Sequence, residues 1–114
     1  MKALSEYLET DPEFARELIT SFSDNLTEFR ESLIRSIKLQ DSKIFLDAHH
    51  KMKTTLSYTQ NDRLQQLADH IKLVIQQQGI ESIKTKTRNA FCRLCNSSVI
   101  DLKIQLKEYL NVSI

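Results

Sequence analysis

One glycine, one proline and no tryptophan occur in 114 residues. Sheets and their hairpins draw on glycine and proline for tight turns, so this scarcity argues against a β-rich fold and for long helices with few breaks. Cysteine is also scarce. Cys92 and Cys95 have no second Cys-x-x-Cys or Cys-x-x-His to complete a zinc site. A redox Cys-x-x-Cys normally opens a helix after a strand, whereas this pair lies inside a helical pattern, where positions i and i+3 share a face as packing residues. No apolar run approaches the roughly 18 residues of a membrane span. The opening MKALSEYLETDP has charges every few residues and no apolar centre, unlike a signal peptide. With 16 basic and 15 acidic residues the net charge is +1, without the basic excess of a dedicated nucleic-acid binder. These absences predict one soluble, cytoplasmic domain over residues 1–114, and its 40% hydrophobic content is enough for a core of its own.

What is present is helical periodicity. A short opening helix is expected over about residues 2–8, ending near Thr10. Asp11 followed by Pro12 reads as an N-cap and first helical position, since proline lacks only an N–H that would be orphaned there. Phe14, Leu18, Phe22, Leu26, Phe29, Leu33 and Ile37 then recur every three or four residues, a stripe on a helix reaching about residue 39. Asp41 or Ser42 can cap the next helix, with Ile44, Phe45, Ala48, Met52 and Leu56 as its apolar residues and a break over residues 57–61. Asn61 can cap a helix carrying Leu64, Leu67, Ala68, Ile71, Val74 and Ile75, which Gly79 ends as a left-handed C-terminal residue. A last helix, about 81–110, carries Ile83, Phe91, Leu94, Leu102, Leu106 and Leu110. The expected fold is all-α: an antiparallel up-and-down four-helix bundle with a short extra N-terminal helix.

The segment DAHHKMKTTL, residues 47–56, places two histidines side by side. At about 100° per residue, Phe45, Ala48, Met52 and Thr55 fall on the side opposite His50, while Lys43, Leu46, Asp47, Lys53, Thr54 and Ser57 fall within about 60° of it. His50 therefore faces solvent, and His49, about 100° round, stands at the border of the core, where it can bond a neighbouring helix. An imidazole in water titrates at about 6.5, which leaves one ring nitrogen free as a nucleophile at neutral pH. Lys53, one turn on, can stabilise the charge of a phosphoryl group on that ring, and Thr54 adds a hydroxyl. Apart from Asp47 at i−3, no carboxylate sits where a hydrolytic triad would need one. The arrangement suits carrying a group more than hydrolysing one.

His50-Lys51-Met52-Lys53-Thr54-Thr55 resembles the HxLKG(S/A) signature of histidine-containing phosphotransfer (HPt) domains, with His50 at the phosphorylated position, Met52 for the apolar residue and Lys53 for the lysine. Asp11-Pro12-Glu13-Phe14 leading into Leu18, Phe22, Leu26 and Leu33 is similar to the family's opening helix, and Leu64, Leu67 and Ala68 to the helix after the motif. The resemblance covers about residues 8–78. Two glycines of the family pattern are replaced, one by Thr54 directly after the lysine and one by Gln60.

The resemblance implies a relay step in two-component signalling. His50 would accept a phosphoryl group from a receiver-domain aspartate and pass it to another, with Lys53 and Thr54 beside it. Response-regulator receivers, or a hybrid sensor histidine kinase, would be the partners. Mg²⁺ would sit on the receiver, with no metal or other cofactor on this chain, which is expected to be a monomer and a phosphoryl carrier rather than an autonomous enzyme. The receiver would dock over Leu46, Asp47 and Ser57, with Lys43, Lys51 and Lys53 complementing its acidic pocket. The same residues also fit a silent docking module, in which Thr54 blocks transfer. His70 reads as a boundary residue of its helix. The all-positive stretch Lys84, Lys86, Arg88 and Arg93 reads as a solvated face, because its aromatic, Phe91, belongs to the core stripe.

Overall fold

The computed structural model describes residues 11–59 and 61–113, with side chains as far as residue 108. The expected helix at 2–8, Gln60 and the side chain of Leu110 lie outside the described residues. Among the described residues there is no strand. Five α-helices follow one another: α1 (Pro12–Leu39), α2 (Ser42–Lys51), α3 (Lys53–Thr59), α4 (Asp62–Gln78) and α5 (Thr85–Ser113), with a 3₁₀ turn at Ile80–Ser82 before the last.

α1 starts as its sequence predicts. Asp11 Oδ1 accepts from the Phe14 N–H at 3.1 Å, Pro12 sits in the first turn, and Glu13 and Lys38 complement the two ends of the helix dipole. Its buried stripe is Ala15, Ile19, Phe22, Leu26, Phe29 and Leu33. Phe14, expected to lead that stripe, is instead 41% exposed, because the alternating four-three spacing read back from Phe22 arrives at Ile19 and Ala15. The helix ends at Gln40, whose left-handed backbone (φ 51°) lets the Asp41 N–H reach the Ser36 carbonyl at 3.0 Å. Asp41 then caps α2, accepting from the Lys43 N–H at 3.0 Å.

α1 packs along both α5 and α2, and α4 packs against the same two helices. The core lies where these four meet. Phe29 of α1, Phe45 of α2 and Phe91 of α5 are completely or almost completely buried. Phe91 meets the other two rings edge-on, at 5.0 Å and 5.7 Å, and Phe29 stacks on Phe45 at 5.3 Å. Leu26, Leu33, Leu64, Ala68, Ile71 and Leu102 join the same cluster. Polar braces fix the elements relative to one another. Ser36 Oγ accepts from the buried Phe45 N–H at 2.8 Å, Asn25 donates to Thr55 Oγ1 at 3.1 Å, and Arg30 donates to Asn96 Oδ1 at 2.6 Å.

The break expected over residues 57–61 is shorter, since 57–59 belong to α3, and one later boundary and the conformation of one cap also differ from the sequence reading. Residues 81 and 82 belong to the 3₁₀ turn, so α5 begins at Thr85. Gly79 does end α4 with a positive φ of 91°, but its ψ of 164° is extended rather than left-handed helical, a region open essentially to glycine alone. A Cβ there would come within 2.6 Å of the Glu81 carboxylate.

Candidate functional site

The helix carrying both histidines is divided. It was expected to run unbroken to about residue 56, but α2 stops at Lys51 and α3 starts at Lys53. Met52 lies between them at φ −84°, ψ −2°, and its N–H is shared by the Ala48 and His49 carbonyls at 3.0 and 3.2 Å. The new helix opens with the Leu56 N–H bonded to the Met52 carbonyl at 2.8 Å. Met52, Thr55 and Leu56 are all buried, and Thr55 is held by Asn25. Two adjacent threonines, stiff at χ1, do little to resist re-aiming the helix to bury those three side chains.

The division falls inside His50-Lys51-Met52-Lys53, so His50 occupies the last turn of α2 and Lys53 the first residue of α3. His50, Lys51, Lys53 and Thr54 are exposed, as are Lys43 and Asp47. The free carbonyls of a helix C-terminus carry partial negative charge, which opposes an anionic group on His50. Lys51 and Lys53, exposed cations one and three residues further along, carry charge of the opposite sign.

His49 is different in every respect. It is 7% exposed, lies against the rings of Phe29 and Phe45 with centroids 6.2 and 6.1 Å away, and has Nε2 2.8 Å from Oδ1 of Asp69 on α4. The core-border position inferred from its angle is the one it takes. Of the two adjacent imidazoles, His50 is the exposed one.

Two grooves flank this ridge. One, of about 660 Å³ between α2/α3 and α4, is lined by His49, Lys53, Leu56, Asp69, Lys72 and Leu73, among others. The second, of about 730 Å³ between α1 and α2, includes Asp47 and Lys51 along with Glu28 and Arg35. His50 lines neither and stands on the crest between them. The residues predicted to surround it therefore divide, Lys53 facing one groove and Asp47 and Lys51 the other.

Leu46 requires correction as an exposed docking residue. It is half-buried and packs against the core, because α2 touches both α1 and α4 and so buries more than one stripe. Ser57 is half-buried and its hydroxyl donates to the Thr54 carbonyl at 2.7 Å. Asp69 and Lys72 were not anticipated. Their signal was present as a row of polar residues, Gln65, Asp69, Lys72 and Gln76, spaced four, three and four beside the apolar stripe of α4.

The remaining candidates differ in burial. Both cysteines are free. Burial, reinforced by neighbouring Cys92, pushes the Cys95 thiol up to about 12 against the pull of Arg30. Burial also raises Cys92, against the opposing charges of Arg30 and Arg88. His70 is exposed, not a boundary residue, and Lys84, Lys86 and Arg93 are solvated while Phe91 lies in the core. Among the described residues no group of three His, Cys, Asp or Glu side chains is placed to hold a metal, and no helix is long and apolar enough to cross a membrane. No protein-family model, curated protein or solved structure matches the chain.

Proposed function

We propose that this chain is a histidine phosphotransfer domain that carries a phosphoryl group on His50 between receiver-domain aspartates, within an up-and-down four-helix bundle in which α2 and α3 together count as one member. The observation that carries this reading is the contrast between neighbours: His49 is buried and bonded to Asp69, while His50 stands exposed between lysines. The HxLKG-like run supplies the reason to connect an exposed histidine with phosphate.

In the transfer, a ring nitrogen of His50 attacks the phosphorus of an aspartyl phosphate. The N–P bond forms, the P–O bond to the carboxylate breaks, and the aspartate leaves as its carboxylate; the reverse exchange loads the next receiver. Mg²⁺ belongs to the receiver, and Lys51 and Lys53 balance the charge of the phosphoryl oxygens on this side. Lys43 and Asp47 extend the contact along α2. The carrier works as a cytoplasmic monomer.

Thr54 supports a second reading. Its side chain is exposed where the related motif has glycine, so it stands in the path of an approaching receiver. A docking module that binds receivers without being phosphorylated would look the same. Incubation with a radiolabelled phospho-receiver and Mg²⁺ separates the two. Acid-labile, alkali-stable label on wild type and His49→Gln but not on His50→Gln is the expected result; binding of receivers without any label on wild type selects the docking module.

A further inference from the structure

Two imidazoles stand side by side, yet the proposed transfer uses one of them. Burial alone does not silence the other, because His49 lines the groove between α2/α3 and α4, which is also bordered by Lys53 and Lys72. What occupies its outer nitrogen is Asp69. A carboxylate can only accept, so the hydrogen in the 2.8 Å contact sits on Nε2, and that nitrogen has no lone pair to offer an electrophile. Nδ1, the nitrogen nearer the main chain, belongs to a side chain 9% exposed and packed against Phe29 and Phe45. Asp69 itself is 59% exposed and stands at the groove's edge, so it acts as a cover on His49 rather than as part of a closed core network.

We infer that Asp69 is a specificity-determining residue of the phosphotransfer site: by holding Nε2 of His49 it confines the phosphoryl group to His50, and its removal uncovers His49 as a second acceptor facing Lys53 and Lys72. The inference rests on the reading of His50 given above. Without the carboxylate, the imidazole is free to carry its hydrogen on Nδ1 and to turn an Nε2 lone pair into a groove whose two ammonium groups attract an anionic donor. The groove then offers what His50 has on the crest, an imidazole nitrogen beside Lys53.

Two small probes test this without any partner protein. With phosphoramidate, the imidazole nitrogen attacks phosphorus, the new N–P bond replaces the bond to the leaving ammonia, and the ring's extra proton passes to water. With diethyl pyrocarbonate, the same nitrogen attacks a carbonyl carbon and expels ethyl carbonate, which reports nitrogen access independently of phosphate. Carbethoxylation of His49, mapped by mass spectrometry, is expected to be about tenfold faster in Asp69→Ala than in wild type, the weight of one hydrogen bond to a charged acceptor. Asp69→Asn, whose amide still engages Nε2, is expected to stay near the wild-type rate, and His50 is expected to react equally in all three. Phosphoramidate is expected to label His49 in His50→Gln/Asp69→Ala and to leave His50→Gln unlabelled. Folding of each variant is checked by circular dichroism. An unreactive His49 in folded Asp69→Ala, with wild type labelled at His50, overturns the role of Asp69 alone; wild type that takes no phosphate overturns the phosphotransfer reading and this inference with it.

Discussion

Asn61 donates to Ser98 Oγ across 2.7 Å while its own Oδ1 accepts from the Leu64 N–H at 3.1 Å. One side chain thus starts α4 and fastens that start to the middle of α5. Asn61→Ala removes both functions and is expected to cost about 2 kcal/mol, whereas Ser98→Ala removes only the brace and is expected to cost about 1 kcal/mol. Urea unfolding of the two single variants and the double variant checks this. Because the double variant loses nothing that Asn61→Ala has not already lost, its stability should match that of Asn61→Ala rather than the sum of the two.

The adjacent histidines predict opposite phenotypes. His50→Gln alters a solvated side chain and is expected to shift unfolding by less than about 0.5 kcal/mol while abolishing phosphoryl transfer. His49→Ala opens a hole beside Phe29 and Phe45 and frees Asp69, and is expected to destabilise by about 2 kcal/mol. Measuring stability and phosphoryl label on the same two proteins separates a structural histidine from a chemical one.

Phe91 touches both Phe29 and Phe45 edge-on and is completely buried. Phe91→Ala is expected to cost about 3–5 kcal/mol, a large part of the stability of a domain of this size. Phe91→Leu keeps most of the volume but loses the ring contacts and is expected to cost about 1–2 kcal/mol. Thermal melts of the pair report how much of the core's strength depends on aromatic geometry.

The two thiols predict a pH profile. The Cys95 thiol is held near 12 in the folded protein against an ordinary 9.0, so the unfolded chain ionises first. The stability contributed by keeping this thiol neutral is fully present below pH 9 and declines toward pH 12, at up to about 1.4 kcal/mol per pH unit. Cys95→Ala is expected to flatten the alkaline limb of stability against pH. At pH 8, iodoacetamide is expected to alkylate Cys92 slowly and Cys95 only after unfolding.

The sequence made the helical plan legible because its punctuation is sparse and unambiguous. Asp11-Pro12, Asn61 and Gly79 each mark an end that the structure keeps, and the three-four spacing of apolar residues names most of the core. What stayed hidden depended on neighbours. Phe14 fits a three-four spacing with Leu18 and Phe22, but the face that neighbours bury runs back from Phe22 through Ile19 to Ala15 and leaves Phe14 outside it. Leu46 points away from the main stripe of α2, and only a second packing partner explains its burial. The division at Met52 has no glycine or proline to announce it; it follows from Met52, Thr55 and Leu56 all being buried. At the candidate site, the angles correctly separated His50 from His49, since a helix fixes which residues share a face. They could not reveal Asp69, 20 residues along the chain from His49, because its partnership exists only once α4 lies against α2.

A helix built in two pieces can lose one without the other. α3 has seven residues, too few to persist by itself, and is held to the rest through Thr55 and Leu56 and the Asn25 brace. α2 keeps its own cap and its own core residues, Phe45 and His49. Fluctuations that let the α3 amides exchange with solvent would thus carry Lys53 away while leaving His50 where it stands. On the proposed reading, His50 and Lys51 share one opening unit and Lys53 sits on the other, so part of the site's charge can leave and return without unfolding the protein around it.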